Sequence, residues 1–152
     1  MGQVRADFND GVVALMMGNY DLALQTFVPL AETSDHAFAQ YFLGRMHAGG
    51  QGVERNAEAA AGWYRKAAEK GVADAQVRHA ELYENGQGVP PDMEYAYGWY
   101  SVAAHLGNPK GHEGLERTNG RLSAGERVEA EKLARRFIEA YGTVPKSTAR
   151  QQ

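Results

Sequence analysis

Residues 37–71 of this chain lie over residues 73–107 without a gap, and 15 of the 35 aligned positions are identical. Self-similarity at a period of 36 residues removes most folds from consideration, because it is the mark that a stack of like supersecondary units leaves in a sequence. The shared positions have physical meaning. Gly50-Gln51-Gly52-Val53 returns as Gly86-Gln87-Gly88-Val89, and Gly62-Trp63-Tyr64 returns as Gly98-Trp99-Tyr100. Two glycines one residue apart suit a tight turn with positive φ, and the valine after them can tuck back between helices. The Trp-Tyr pair, followed by Ala67-Ala68 or Ala103-Ala104, sets large residues against small ones at helical spacing, as closely packed helices require.

Start and stop signals divide each unit into two helices. Ala39, Leu43, Met46 and His47 follow helical spacing and halt at Gly49-Gly50. Asn56 then caps a helix carrying Ala60, Trp63, Tyr64, Ala67 and Ala68, which ends at Gly71. The next unit repeats the pattern with Ala75, His79, Leu82 and Tyr83, a cap at Asp92, and Ala96, Trp99, Tyr100, Ala103 and Ala104 before Gly107. Upstream, Gly11, Ala14, Gly18, Tyr20, Ala23, Phe27 and Leu30 outline a degenerate hairpin with a short turn at Gly18-Asn19. Downstream, Asn108-Pro109 opens a short helix to about Thr118. Ser123 and Glu126 form a capping box before an amphipathic helix whose apolar stripe is Ala130, Leu133, Ala134, Phe137, Ile138 and Tyr141.

The expected architecture is all-α, a right-handed α-solenoid of antiparallel helix hairpins with about three and a half repeats. A C-terminal capping helix closes it, since an open end leaves the last repeat's apolar face in water. A single domain spans 1–142 in units of about 4–35, 36–71, 72–107 and 108–142, with the cap helix at 123–141 and a disordered tail at 143–152.

The string Ala39-Gln40-Tyr41-Phe42-Leu43-Gly44, then Gly50-x-Gly52-Val53, then Ala60-x-x-Trp63-Tyr64-x-x-Ala67-Ala68-x-x-Gly71 closely resembles the Sel-one-like repeat family. These are helix-hairpin solenoids related to tetratricopeptide repeats. The likeness is strong from Ala37 to Gly107 and looser from Phe8 to Tyr141, and the segment from Arg121 to Phe137 looks like the terminal cap of small bacterial members. Such a resemblance implies a non-catalytic protein-interaction scaffold, often in bacterial envelope or regulatory settings, without a cofactor. The third unit departs from the family pattern at Val77-Arg78-His79-Ala80, where an aromatic, a Leu and a Gly are expected. His79 in the place of that leucine is the misfit. Either it finds a hydrogen-bond partner or its helix packs loosely.

Charge and composition narrow the partners. The formal charge is −3 over 152 residues, and no run of Lys and Arg exceeds Arg135-Arg136; nucleic acid is not an expected partner, since phosphate recognition needs a basic stripe. No apolar run approaches the ~20 residues of a membrane span, so no membrane insertion is expected. There is no cysteine, which excludes disulfides and thiolate metal sites. Met1-Gly2 is not a myristoylation signal, because Ala6 stands where that motif has Ser or Thr. Its place almost directly before the first hairpin is that of a chain trimmed of a leader, which favours the periplasm over the cytoplasm. A monomer or weak homo-oligomer is expected.

Catalytic and metal readings find little to stand on. His36, His47, His79, His105 and His112 include no pair at the i, i+4 spacing of a helical zinc motif. His47 takes the place of Tyr83 at a core edge, and His105 sits near a helix end where an imidazolium is favoured. No Gly-x-Ser-x-Gly and no Ser-x-x-Lys is present, and the glycine turns lack the strand and lysine of a phosphate loop. The alternatives to a scaffold are an envelope hydrolase or β-lactam-binding protein of the Sel-one-like type, and a structural homo-oligomer. Trp63, Trp99, Tyr64 and Tyr100 read as core, so Trp63→Ala is expected to cost about 3–5 kcal/mol.

In such solenoids the first helix of each hairpin lines the concave face and leaves one stripe uncovered. In the second unit that stripe is Phe38, Tyr41 and Arg45; shifted by 36 it is Asp74, Val77 and Glu81, and shifted again it is Lys110, Glu113 and Arg117. The first unit offers Arg5, Phe8, Val12 and Leu15. The expected partner-binding groove is therefore Phe8, Val12, Phe38, Tyr41, Arg45, Val77, Glu81, Glu113 and Arg117, apolar and aromatic at one end and charged with both signs at the other. It suits an extended peptide or a partner helix with an apolar anchor. The competing assignment has Phe8 and Tyr41 completing the core between hairpins.

Overall fold

A computed structural model describes residues 6–145. Residues 1–5 and 146–152, with the readings of Met1-Gly2, Arg5 and the end of the tail, lie outside it. The described chain is all-helical: α1 (Phe8–Met16), α2 (Tyr20–Glu32), α3 (Ala37–Gly49), α4 (Ala57–Glu69), α5 (Ala73–Asn85), α6 (Met93–His105), α7 (Pro109–Asn119) and α8 (Ala124–Tyr141). Each helix packs on the next from α1 to α7, which is the helical-repeat solenoid that the period required.

The helix ends follow from side chains that satisfy orphaned backbone groups. Asn56 accepts from Ala59 N, Asp92 from Tyr95 N and Asn108 from Lys110 N and Gly111 N, while Ser123 and Glu126 complete their capping box. A second box, Asp7 with Asp10, starts α1, and His36 caps α3 through Nδ1 at 3.2 Å from Ala39 N. Gly50 and Gly86 end α3 and α5 in the left-handed region, at φ 65° and 64°. Gly52 has a further reason to be glycine. A Cβ there would stand 2.6 Å from Tyr20 Cβ, because the turn after α3 lies on the start of α2.

One buried polar contact recurs with the period. Gln40 Nε2 donates to Ala31 O at 3.1 Å, and 36 residues on Gln76 Nε2 donates to Ala68 O at 3.1 Å. In each case a glutamine of one hairpin satisfies a last-turn carbonyl of the helix before it, so the repeat carries its own stacking lock.

The C-terminal helix does more than shield an end. α8 lays its length on α6, and α7 meets it through side chains, Arg127 Nη2 donating to Asn119 O at 3.1 Å and Leu115 joining the cluster of Ala130 and Ala134. Its Ala130 and Ala134 pack with Tyr97, its Leu133 and Phe137 cover Gly98, and its Tyr141 stacks on Trp99 at 5.1 Å between ring centroids. Its end reaches the turn before α5. Gln76 Nε2 meets Tyr141 O at 3.4 Å, and Thr143 lies so close on Gly71 that no side chain fits there. Residues 143–145, expected as the start of a loose tail, are thus placed against the body of the fold.

That cover separates the two tryptophans. Trp99 is fully buried between His79 of α5 and Phe137 and Tyr141 of α8. Trp63, one repeat earlier, is half-buried at the edge of the cluster around Phe27 and Leu43, with Lys66 Nζ 4.7 Å from its ring centre. The cost of about 3–5 kcal/mol for losing a buried aromatic belongs to Trp99 rather than to Trp63.

Candidate functional site

The expected groove residues separate into packed and open sets. Phe8 stacks on His36 at 4.7 Å and stands within 5.8 Å of both Phe27 and Phe42, and Val12 joins the same cluster. Both are half-buried between the first two hairpins. Val77 is 3% exposed and sits in the main core. α5 buries the same face as α3, with Gln76 and His79 as covered as Gln40 and Leu43, and the shorter Val77 lies wholly within the packing that leaves the longer Tyr41 half open. Val77 is removed from the groove on that ground.

The open set is on α3, α5 and α7. Phe38 is 43% exposed, Tyr41 is half-buried against Tyr64 and Phe42, and the guanidinium of Arg45 lies 5.8 Å from the ring centre of Tyr41 and 5.4 Å from that of Phe42. Such cation–π contacts order a long side chain without removing its charge from water. Glu81 is half-buried and accepts from Arg78 Nη1 at 3.1 Å. Glu113 is exposed on α7.

Arg117 is occupied inside the molecule. It grips the Glu84 carboxylate with Nε at 2.7 Å and Nη2 at 2.9 Å, while the Tyr100 hydroxyl donates to Glu84 Oε2 at 2.6 Å and Arg121 approaches at 3.4 Å. The Glu84 side chain is 3% exposed. The hydrogen bonds from Arg117 hold its carboxyl below the usual carboxylate range against the pull of burial. Burial first, and then the bond to Glu84, pushes the Tyr100 hydroxyl above the usual tyrosine value. This tie between α5, α6 and α7 was not visible in the groove stripe. Its one sequence signal is that Glu84 falls where the previous repeat has Ala48.

Between α3 and α5 lies an open cleft of about 390 Å³, lined by Tyr64 of α4 with Arg45, Ala48, Arg78, Glu81 and Leu82. Burial pushes the Tyr64 hydroxyl up to about 12, and the Arg78 and Arg45 charges act in the opposite sense. The group is a neutral hydrogen-bond donor across the physiological range. Of the expected site residues the cleft gathers Arg45 and Glu81, with Tyr41 beside them; Arg78 and Tyr64 are added by the fold.

Comparison with known proteins agrees with the architecture. A family model described as the Sel1 repeat matches residues 37–72 and 73–108. A protective antigen of uropathogenic Escherichia coli with an SLR fold is similar at 31% identity and a TM-score of 0.80, over 88% of this chain and 29% of that one. A Sel1 repeat protein from Oxalobacter formigenes is similar at 31% identity and a TM-score of 0.68, over 86% of this chain and 54% of that one. The chain therefore spans about a third and about half of those two structures. A search of curated proteins found no match.

Proposed function

We propose that this chain, whose residues 37–72 and 73–108 match the Sel1 repeat, is a non-catalytic scaffold holding a peptide or partner protein along the face shared by α3 and α5. Sel1-repeat folds generally serve protein interaction. The observation that carries the reading to this face is an open cleft between the same two helices with Arg45, laid over two rings, in its lining, while Phe38 is exposed earlier on the same helix. Aromatic and arginine side chains are the usual anchors of a binding surface, and their order before binding limits the entropy lost on contact.

The test separates binding from packing. A photo-crosslinking residue at Phe38 is used to trap and identify the partner from native lysate, and Tyr41→Ala and Arg45→Glu are compared with the unaltered chain. Each variant is expected to weaken capture by roughly tenfold, the effect of losing one good contact, while the melting temperature changes little. Capture that persists alongside a large fall in melting temperature would return Tyr41 to the core and remove the groove.

A further inference from the structure

The repeat places two tyrosines in equivalent positions and treats them differently. A shift of 36 residues sets Tyr64 on Tyr100, Ala48 on Glu84, Glu81 on Arg117 and Asn85 on Arg121. At the downstream junction the tyrosine hydroxyl, one bidentate arginine and a second arginine converge on a carboxylate that the chain itself supplies. At the upstream junction Ala48 stops short of that point. What remains is the cleft of about 390 Å³, and among the described residues the Tyr64 hydroxyl has no hydrogen-bond partner.

The cations differ in origin but not in sign. Arg45 and Arg78 line the upstream cleft, Arg78 coming from the position that Gly114 fills one repeat later. Glu81 occupies the place of Arg117, but its charge is partly spent on Arg78 at 3.1 Å. Two guanidiniums against one carboxylate leave the cleft with an excess positive charge, above a neutral phenol that can only donate to an anion.

We propose that this cleft binds a carboxylate side chain, Asp or Glu, of the partner peptide, which takes at Tyr64 the position that Glu84 holds at Tyr100. This assignment rests on the groove reading above and gives it a chemistry. Glu81 then acts as an internal competitor for Arg78, released when the incoming carboxylate arrives. The buried Glu84 cluster shows a carboxylate seated on the equivalent tyrosine, there with arginines supplied from other positions.

A display library of short random peptides, selected on the unaltered chain, provides the probe. Selected peptides are expected to share an acidic residue, and replacing it by the matching amide is expected to weaken binding about tenfold or more, as loss of a charge-assisted hydrogen bond does. Arg78→Ala is expected to weaken binding by a similar factor, and Glu81→Gln to strengthen it. Ala48→Glu puts a carboxylate of the chain's own at the position of Glu84, so it is expected to block acidic peptides. Arg78 is partly exposed, so its variant keeps the test sound if Ala48→Glu folds poorly. Peptides that depend on Tyr41 and Arg45 but ignore the amide replacement and Ala48→Glu would overturn the carboxylate site and leave the groove standing. A selection with no binder sensitive to any of these variants overturns both.

Discussion

His79 stands at the position where the previous repeat has Leu43, and it is as buried as that leucine, at 1% exposed. The ring is held edge-on by Tyr83, Tyr95 and Trp99 at 5.1–5.7 Å, with only a long contact of 3.4 Å from Nε2 to the Tyr95 hydroxyl and no partner for Nδ1 among the described residues. Burial, aided by the charge of Arg65, lowers its pKa from 6.5 to about 4. The unfolded chain therefore takes up a proton below pH 6.5 that the folded chain refuses until about pH 4. Stability is complete above the higher value and falls as pH drops through that window, by about 3 kcal/mol in all. His79→Leu is expected to remove this slope and to match or exceed the parent in stability at neutral pH, since it also removes an unsatisfied buried nitrogen. Urea midpoints at several values between about pH 7 and about pH 4 read the difference, and parallel curves for the two chains would mean that the ring meets water. The misfit was legible from the repeat alone. Its resolution was not, because the cage depends on Tyr95, which has only Ala59 as its counterpart.

At the scale of elements the informative comparison is α4 with α6. Both carry Gly-Trp-Tyr and a pair of alanines, but α4 shows Ala59, Ala61, Arg65 and Lys66 where α6 has Tyr95, Tyr97, Ser101 and Val102. A helix that is apolar on every side is covered on every side, and residues 96–104 of α6 are all buried. The cover is α8. Its contact with α6 was written in the positions where the repeats differ, whereas the hairpins, caps and glycine turns were written in the positions they share. The glycines of the two helices make this testable. A Cβ at Gly62 meets nothing, while one at Gly98 comes within 3.0 Å of Phe137. Gly62→Ala is expected to stabilise the fold by about 0.5–1 kcal/mol, the ordinary gain for a helix interior. Gly98→Ala has to displace Phe137 and is expected to lose that gain or reverse it. Chemical denaturation of the two variants gives the comparison; equal gains would show that α8 yields freely.

For the molecule as a whole, the two ends of the stack are unlike. α7 turns His112, Glu113 and Glu116 to water, while the face beyond α1 exposes Val13, Met16 and Met17. The contacts of α1 to α7 join consecutive helices, apart from the tie of α5 to α7 through Glu84, and α8 returns further across the sequence, from Tyr141 to Gln76. Periodicity could reveal the neighbour contacts because they recur; it is silent on a contact made once. The proposed groove was legible to the same limit, with Phe38, Tyr41 and Arg45 placed by the repeat but Glu84 and Arg117 tied by a contact peculiar to one junction. Ending the chain after Leu122 is expected to bare Tyr95, Trp99 and Phe137's footprint on Gly98, giving a red-shifted tryptophan emission, binding of a hydrophobic dye and a broadened melt. A sharp, parent-like transition in that shortened chain would show that α8 is an ornament on a complete solenoid. The position of α8 also has a consequence in time. Helices α1 to α7 can assemble as they leave the ribosome, because each meets a partner already made. The aromatic face of α6 must wait until its cover, which is made after α7, has emerged. For that interval the nascent chain presents a sticky surface that the finished protein never shows, and this is the stage of its life at which a chaperone has something to hold.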